Sequence, residues 1–297
     1  MKGCIMFETF FEKINERGVV LNYLQVIQND QTLIDYSRLE SKTRLNTWSL
    51  CKSIVSCGIG IAIHEGYLSL DEKLIDSFPE YDCGSLSASL KSLTLRDMLT
   101  MTSGLETALF FGDDPERYVT QDWVSYFFSQ SFPNPNGVKF VYSNFNTYMS
   151  AVMAERKIGN DFLDYMKLKF FEPLCIHSVD WTRDPMGYIH AANGLYVTID
   201  EIAAFGKMLL NCGRYNGVQV VPEDYLKEAV KNQIPAVGNP EYGYQFWVSS
   251  KTHSFSANGK FGQYCIVIPE KNAVIAAMAL DSKDYYDLIE ENIMSKL

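Results

Sequence analysis

Ser49 and Lys52 stand three residues apart in Trp48-Ser49-Leu50-Cys51-Lys52, a spacing that puts two side chains on one face of a helix. A serine hydroxyl is a poor nucleophile until a base takes its proton, and a lysine removed from water can do so because burial disfavours its charged form. A serine at a helix N-terminus also has free backbone N–H groups beside it. The pair by itself does not compel this chemistry, since a helix cap followed by an exposed lysine produces the same tetrad. A second pair stands further along in Val141-Tyr142-Ser143-Asn144. There a phenol and an amide follow a glycine-containing loop and precede a helical stretch, where both can face a cleft. The chemistry open to Ser49 and Lys52 is nucleophilic catalysis with the lysine as base, whereas the Tyr142–Asn144 pair by itself is more often structural.

Such residues need a frame. Residues 48–63 are apolar around nearly the whole helical circumference, with Ser53, Ser56, Gly58 and Gly60 as small members, the pattern of a central helix buried on all sides. Ile5, Phe7, Phe10, Phe11 and Ile14 predict an amphipathic helix over 5–17 ending near Gly18. Residues 21–28 and 31–36 are β-rich and flank Asn29-Asp30, a pair that tolerates the positive φ of a tight hairpin. From His64 to about Trp181, helical segments alternate with loops rich in Pro, Gly and Asn, such as residues 132–137. Thr198 with Glu201 three residues on caps a helix reaching 210, and a second helix spans 222–232. The period then changes to two, predicting strands at 242–248, 254–257, 264–268 and 273–279, before a closing helix at 284–296. The pattern predicts an α+β fold in which N- and C-terminal strands share an antiparallel sheet flanked by helices, with a mostly helical lobe inserted. An α/β lobe of about 1–65 and 195–297 and a helical lobe of about 66–194 then meet at a cleft within one domain.

Composition narrows the chemistry. With 297 residues and 47% hydrophobic content the chain can bury a large core without external staples. A net charge of -10 with no basic run argues against nucleic acid and anionic lipid as partners, and Lys167 and Lys169 fit a solvated helix face. The longest apolar stretches, 54–63 and 273–280, fall short of the roughly 20 residues of a membrane span. Glu8 interrupts any signal-peptide core. The seven cysteines (Cys4, Cys51, Cys57, Cys83, Cys175, Cys212, Cys265) form an odd set without Cys-x-x-Cys, as expected of free thiols in a reducing, cytoplasmic compartment. Four scattered histidines predict no metal site, and no cofactor is expected. Gly58-x-Gly60 lacks the third glycine and the leading strand of a dinucleotide fingerprint, so close helix packing is the better reading. Gly-x-Ser-x-Gly, the mark of an α/β-hydrolase elbow, is absent.

Along most of its length the chain resembles the class C β-lactamase and penicillin-binding-protein superfamily of serine hydrolases. Trp48 to Ser53 resembles the nucleophile motif, His64 to Asp71 the segment after its helix, and Leu93 to Leu105 a family signature seldom met elsewhere. Tyr142-Ser143-Asn144 is similar to the second catalytic motif and Phe171-Glu172-Pro173-Leu174 to a structural turn, and later landmarks follow in order at 194–217 and 242–247. The resemblance implies a β-lactamase-like fold and a small-molecule acyl substrate, and it sets no oligomeric state. It also implies Ser49 as nucleophile, Lys52 and Tyr142 as its proton partners, and Asn144 orienting the substrate. One motif departs from the pattern. The family's Lys-Thr-Gly or His-Thr-Gly appears as Ala257-Asn258-Gly259, followed by Lys260, so the usual cation for a substrate carboxylate is missing unless Lys260 replaces it. Gly259 still allows close approach, and the N–H groups of Ser49 and Lys260 are the expected oxyanion hole. The expected activity is that of an esterase, β-lactamase or D-alanyl carboxypeptidase, with uncharged esters favoured. The alternative is a catalytically weak, penicillin-recognising or ligand-sensing protein of the same fold.

Overall fold

The computed structural model describes residues 7–297 apart from 83, 85, 111–113, 235–237, 239 and 282. Ile5 of the expected first helix, Cys4 and Cys83 lie outside the described residues. Among the described residues the strands are β1 (Leu21–Gln28), β2 (Gln31–Ser37), β3 (Leu45–Asn46), β4 (Asp180–Trp181), β5 (Leu195–Val197), β6 (Arg214–Tyr215), β7 (Val218–Gln219), β8 (Trp247–Ser249), β9 (Ser254–Gly259), β10 (Gln263–Ile268) and β11 (Ala273–Ala279). The helices are α1 (Glu8–Arg17), α2 (Cys51–His64), α3 (Ala88–Ser92), α4 (Leu95–Leu99), α5 (Glu116–Val119), α6 (Trp123–Phe128), α7 (Asn144–Ile158), α8 (Phe162–Met166), α9 (Ile199–Leu210), α10 (Glu223–Ala229) and α11 (Tyr286–Asn292).

Six antiparallel strands form the main sheet in the order β2-β1-β11-β10-β9-β8, so the two ends of the chain do share it. The β1–β2 hairpin turns on Asn29 and Asp30 at φ 51° and 59°, the doubly left-handed turn that matches strand twist. β1 is buried on both faces because helices cover both. Leu24 and Val26 pack with Phe10, Ile14 and Ile289 on the side of α1 and α11. Tyr23 and Ile27 point the other way, into the core that holds α2 and α9.

Helix α2 is buried from Cys51 to Ala62, and its glycines are there for packing. A Cβ at Gly58 would lie 2.0 Å from Met166 Sδ, and one at Gly60 would lie 2.3 Å from the Tyr225 ring. The Thr198–Glu201 capping box forms as the sequence predicts. Several expectations are shortened, and the helix expected at 222–232 spans only Glu223–Ala229. Of residues 242–248 only the end forms β8, because Gln245, at φ 64°, donates its side-chain amide to Met98 O and Leu99 O and so pulls the segment out of the sheet. The closing helix divides into α11 and a 3₁₀ turn at Met294–Lys296. A small sheet, β3-β5-β4, was not foreseen, since strands of two or three residues carry no readable period. Among the described residues no helix is long and apolar enough to cross a membrane.

Candidate active site

Ser49 lies in a single 3₁₀ turn, Trp48–Leu50, that leads into α2 at Cys51. The sequence places the helix start at residue 48, but Trp48 takes φ 50°, a left-handed backbone outside the α region. Its neighbours over-determine that strained state. Trp48 N–H donates to Asn46 Oδ1 at 2.9 Å, Gly194 N–H donates to the same oxygen at 3.1 Å, and Thr47 N–H reaches Leu195 O at 2.8 Å. The Trp48 ring meets Phe261 edge-on at 5.0 Å, and Phe261 is itself at φ 64°. Strained backbone thus lies next to half-buried Ser49 and in the Phe261 turn that packs on Trp48. Ser49 opens onto a cavity of about 1060 Å³.

Lys52, one turn on, is 1% exposed. Its Nζ lies 2.8 Å from Ser49 Oγ, 2.8 Å from Asn144 Oδ1 and 3.0 Å from the Ala192 carbonyl oxygen. Burial pushes the ammonium down to about 7. A neutral amine has two hydrogens and one lone pair. The carbonyl and amide oxygens can only accept, so they take the hydrogens and the lone pair is left facing the Ser49 hydroxyl. The adjacent Cys51 thiol is pushed up to about 12 by burial and stays uncharged.

Tyr142 is hydrogen-bonded to Ser49, and its ring centroid is 4.9 Å from Lys52 Nζ. Trp247 stacks on the ring at 5.7 Å and Tyr242 packs edge-on at 6.3 Å. Burial holds the phenol above its usual range, opposed by the Ser49 hydrogen bond. The free site therefore holds a protonated phenol here. Asn144 is the first residue of α7, which Ser143 caps through its side-chain oxygen. The Asn144 amide also donates to Phe110 O at 2.9 Å.

The fourth wall is the end of β9. β8 pairs only with Ser254–Ser256, so 257–259 has β10 on one side and the turn bearing Ser49 near the other. A Cβ at Gly259 would fall 2.1 Å from Thr47 O, an approach that only glycine permits. Asn258, Gly259 and Lys260 line the cavity with Ser49, Tyr142 and Asn144. Ala257 does not. It is 1% exposed and belongs to the core, because strand alternation turns it to the face opposite Asn258. Its expected role in substrate binding is corrected accordingly.

Sequence reasoning missed the loop 190–193, which supplies the Ala192 oxygen. Asn193-Gly194 marked a turn, but no residue type tied it to Lys52. Within the loop His190 is 3% exposed and meets the Trp123 ring edge-on at 5.2 Å. Neither of its ring nitrogens has a hydrogen-bond partner among the described residues. Burial, then the charges of Arg117 and Lys52, hold its imidazole down to about 3. Among the described residues no cluster of His, Cys, Asp or Glu is arranged to hold a metal.

Solved structures share this fold at low identity. A Bacillus anthracis protein provisionally named a 6-aminohexanoate-dimer hydrolase matches with TM-score 0.80 and 18% identity over 96% of this chain and 80% of its own. The octameric penicillin-binding protein homologue from Pyrococcus abyssi matches at 0.77 and 20%, over 98% and 76%. A class C beta-lactamase in complex with cefoxitin matches at 0.79 and 14%, over 100% and 99%. No curated protein matches the sequence significantly. A family model described as Beta-lactamase matches residues 7–292, nearly the whole chain, and the chain therefore belongs to the beta-lactamase family.

Proposed function

We propose that this chain is a serine hydrolase that forms an acyl-enzyme on Ser49 with an ester, amide or β-lactam substrate, in esterase, β-lactamase or D-alanyl-carboxypeptidase-like turnover. The observation that carries the reading is the buried Lys52 amine, poised near neutrality between two acceptor-only oxygens and Ser49 Oγ. Neutral Lys52 takes the hydroxyl proton as Oγ attacks the acyl carbon, and the N–H groups of Ser49 and Lys260 receive the developing oxyanion. Tyr142 gives its proton to the leaving group. Its phenolate, beside the newly charged Lys52, then takes a proton from the water that attacks the ester, and Lys52 returns a proton to Ser49 Oγ as the acid departs. Sequence alone had Lys52 and Tyr142 sharing one proton, whereas the raised phenol favours this division of labour.

We read the chain as one domain, with a helical lobe of about 66–194 set on an α/β lobe of about 1–65 and 195–297. The odd set of seven cysteines supports a cytoplasmic protein. The test is labelling with a fluorophosphonate and with a fluorescent penicillin, read by intact mass and peptide mapping. Each adduct should map to Ser49 and vanish in Ser49→Ala. An adduct on Ser103 or Ser143 would remove Ser49 from its role, and a permanent penicilloyl adduct without product would favour the ligand-sensing alternative.

A further inference from the structure

Among the described residues, four charged side chains line the cavity in front of Ser49: Asp114, Arg117, Lys260 and Asp284. The two acids are engaged within the protein. Asp114 accepts from Phe110 N at 3.0 Å and Glu116 N at 3.1 Å, one bond to each carboxylate oxygen. Asp284 Oδ1 accepts from Tyr264 Oη at 3.0 Å and Tyr286 N at 2.9 Å. The two cations are not so engaged. Arg117 lies over the Tyr118 ring at 5.7 Å and Lys260 over the Phe261 ring at 5.1 Å, and neither has a carboxylate partner among the described residues. Five other arginines pair with carboxylates, in Arg17–Asp287, Arg44–Glu201, Arg96–Asp71, Arg156–Glu80 and Arg183–Asp161, while Arg38 and Arg214 bond to an amide and a backbone oxygen.

The location of Arg117 gives this imbalance a direction. Its charge reaches buried His190, the neighbour of the loop residues that line the site with Lys52, and its side chain lines the same cavity as Ser49. Leu109, Tyr126, Tyr142 and Trp247 line the same cavity, and low-dielectric walls strengthen the field of an unpaired charge. A guanidinium presents a planar fork of donors that fits a carboxylate in two bonds. We propose that Arg117, with Lys260 on the sheet side of the same cavity, forms an anion subsite that holds a carboxylate of the acyl substrate. The subsite reverses the sequence-based preference for uncharged esters, which rested on Ala257 alone, a residue that faces the core and not the cavity. The inference depends on the acyl-enzyme reading of Ser49.

The test compares phenylboronic acid with 3-carboxyphenylboronic acid, two probes that add reversibly to a serine oxygen and differ by one carboxylate. Their Kd values are measured by calorimetry on the full chain, on Arg117→Gln and Arg117→Lys, and on Lys260→Gln as a second site. The affinity ratio, carboxylated over plain, should fall about tenfold to a hundredfold in Arg117→Gln, the range of a charge-assisted hydrogen bond. Arg117→Lys should fall between, since it keeps the charge and loses the fork, and Lys260→Gln should lower the ratio less. An unmoved ratio in both Arg117→Gln and Lys260→Gln overturns the subsite while leaving Ser49 in place. Failure of both boronates to bind the unmodified chain overturns the acyl-enzyme reading and the subsite with it.

Discussion

Lys52 Nζ lies 2.8 Å from Asn144 Oδ1 and 2.8 Å from Ser49 Oγ, so the nucleophile and an amide 92 residues beyond Lys52 in sequence hold the same amine. The Asn144 oxygen cannot donate, and the Ala192 carbonyl beside it cannot either. Of the three groups bonded to the amine, only the Ser49 hydroxyl can donate to it. The geometry thus gives the amine a direction as well as a location, and burial brings its titration into the working range.

The pH profile of acylation follows from that titration. Below about 7 Lys52 is charged and cannot take the Ser49 proton. The fluorophosphonate labelling rate should rise about tenfold per pH unit and level off above neutrality. Lys52→Arg keeps its charge throughout and should slow labelling at pH 8 by roughly a hundredfold or more. A midpoint near 10 would show that Lys52 stays an ammonium and is not the base.

Asn144→Asp tests the positioning role of the amide through the same profile. A carboxylate at hydrogen-bond distance favours the ammonium and raises a lysine by about 1 to 3 units. The midpoint should move upward, cutting labelling at pH 7 by roughly tenfold or more, while the plateau is regained at higher pH. A lower plateau with an unmoved midpoint would mean that Asn144 does not govern Lys52.

Gly259→Ala probes the contact between β9 and the nucleophile turn. The new Cβ meets Thr47 O, a backbone atom two residues before Ser49. Either the strand or the turn must shift, so urea unfolding should show a loss of about 1 to 3 kcal/mol. Labelling of Ser49 should fall more than tenfold. Wild-type labelling in this variant would show that the site tolerates a looser strand.

Buried His190 makes stability depend on acid. Its imidazole titrates near 6.5 when unfolded and is held down to about 3 when folded, so between those values the unfolded chain binds the extra proton. Stability from this group is complete above 6.5 and falls with decreasing pH by up to about 1.4 kcal/mol per unit until about 3. His190→Phe should therefore reduce the stability lost between pH 7 and pH 5 by about 2 kcal/mol. Repacking costs apply at both pH values and cancel in the difference. Equal losses in the two proteins would show that His190 is solvated or bonded when folded.

Features governed by neighbours in the chain were legible in the sequence. The Asn29-Asp30 hairpin, the Thr198–Glu201 capping box, the buried α2 and the Ser49–Lys52 spacing depend on residues a few positions apart, where backbone geometry alone sets who can touch. Pairing of the chain's two ends also followed, because short β-rich and apolar runs bounded by turn residues mark strands at both ends. That Lys52 is buried against Ser49 rather than solvated behind a helix cap was decided by tertiary structure. The Ala192 oxygen arrives from 140 residues away, Trp247 stacks on Tyr142 from β8, and Gln245 takes its unusual backbone to bond across to α4. The orientation of Ala257 into the core and of Arg117 onto the cavity were settled the same way. Burial, and the partners left once water is excluded, are properties of the packed chain, and the titration of Lys52 depends on both.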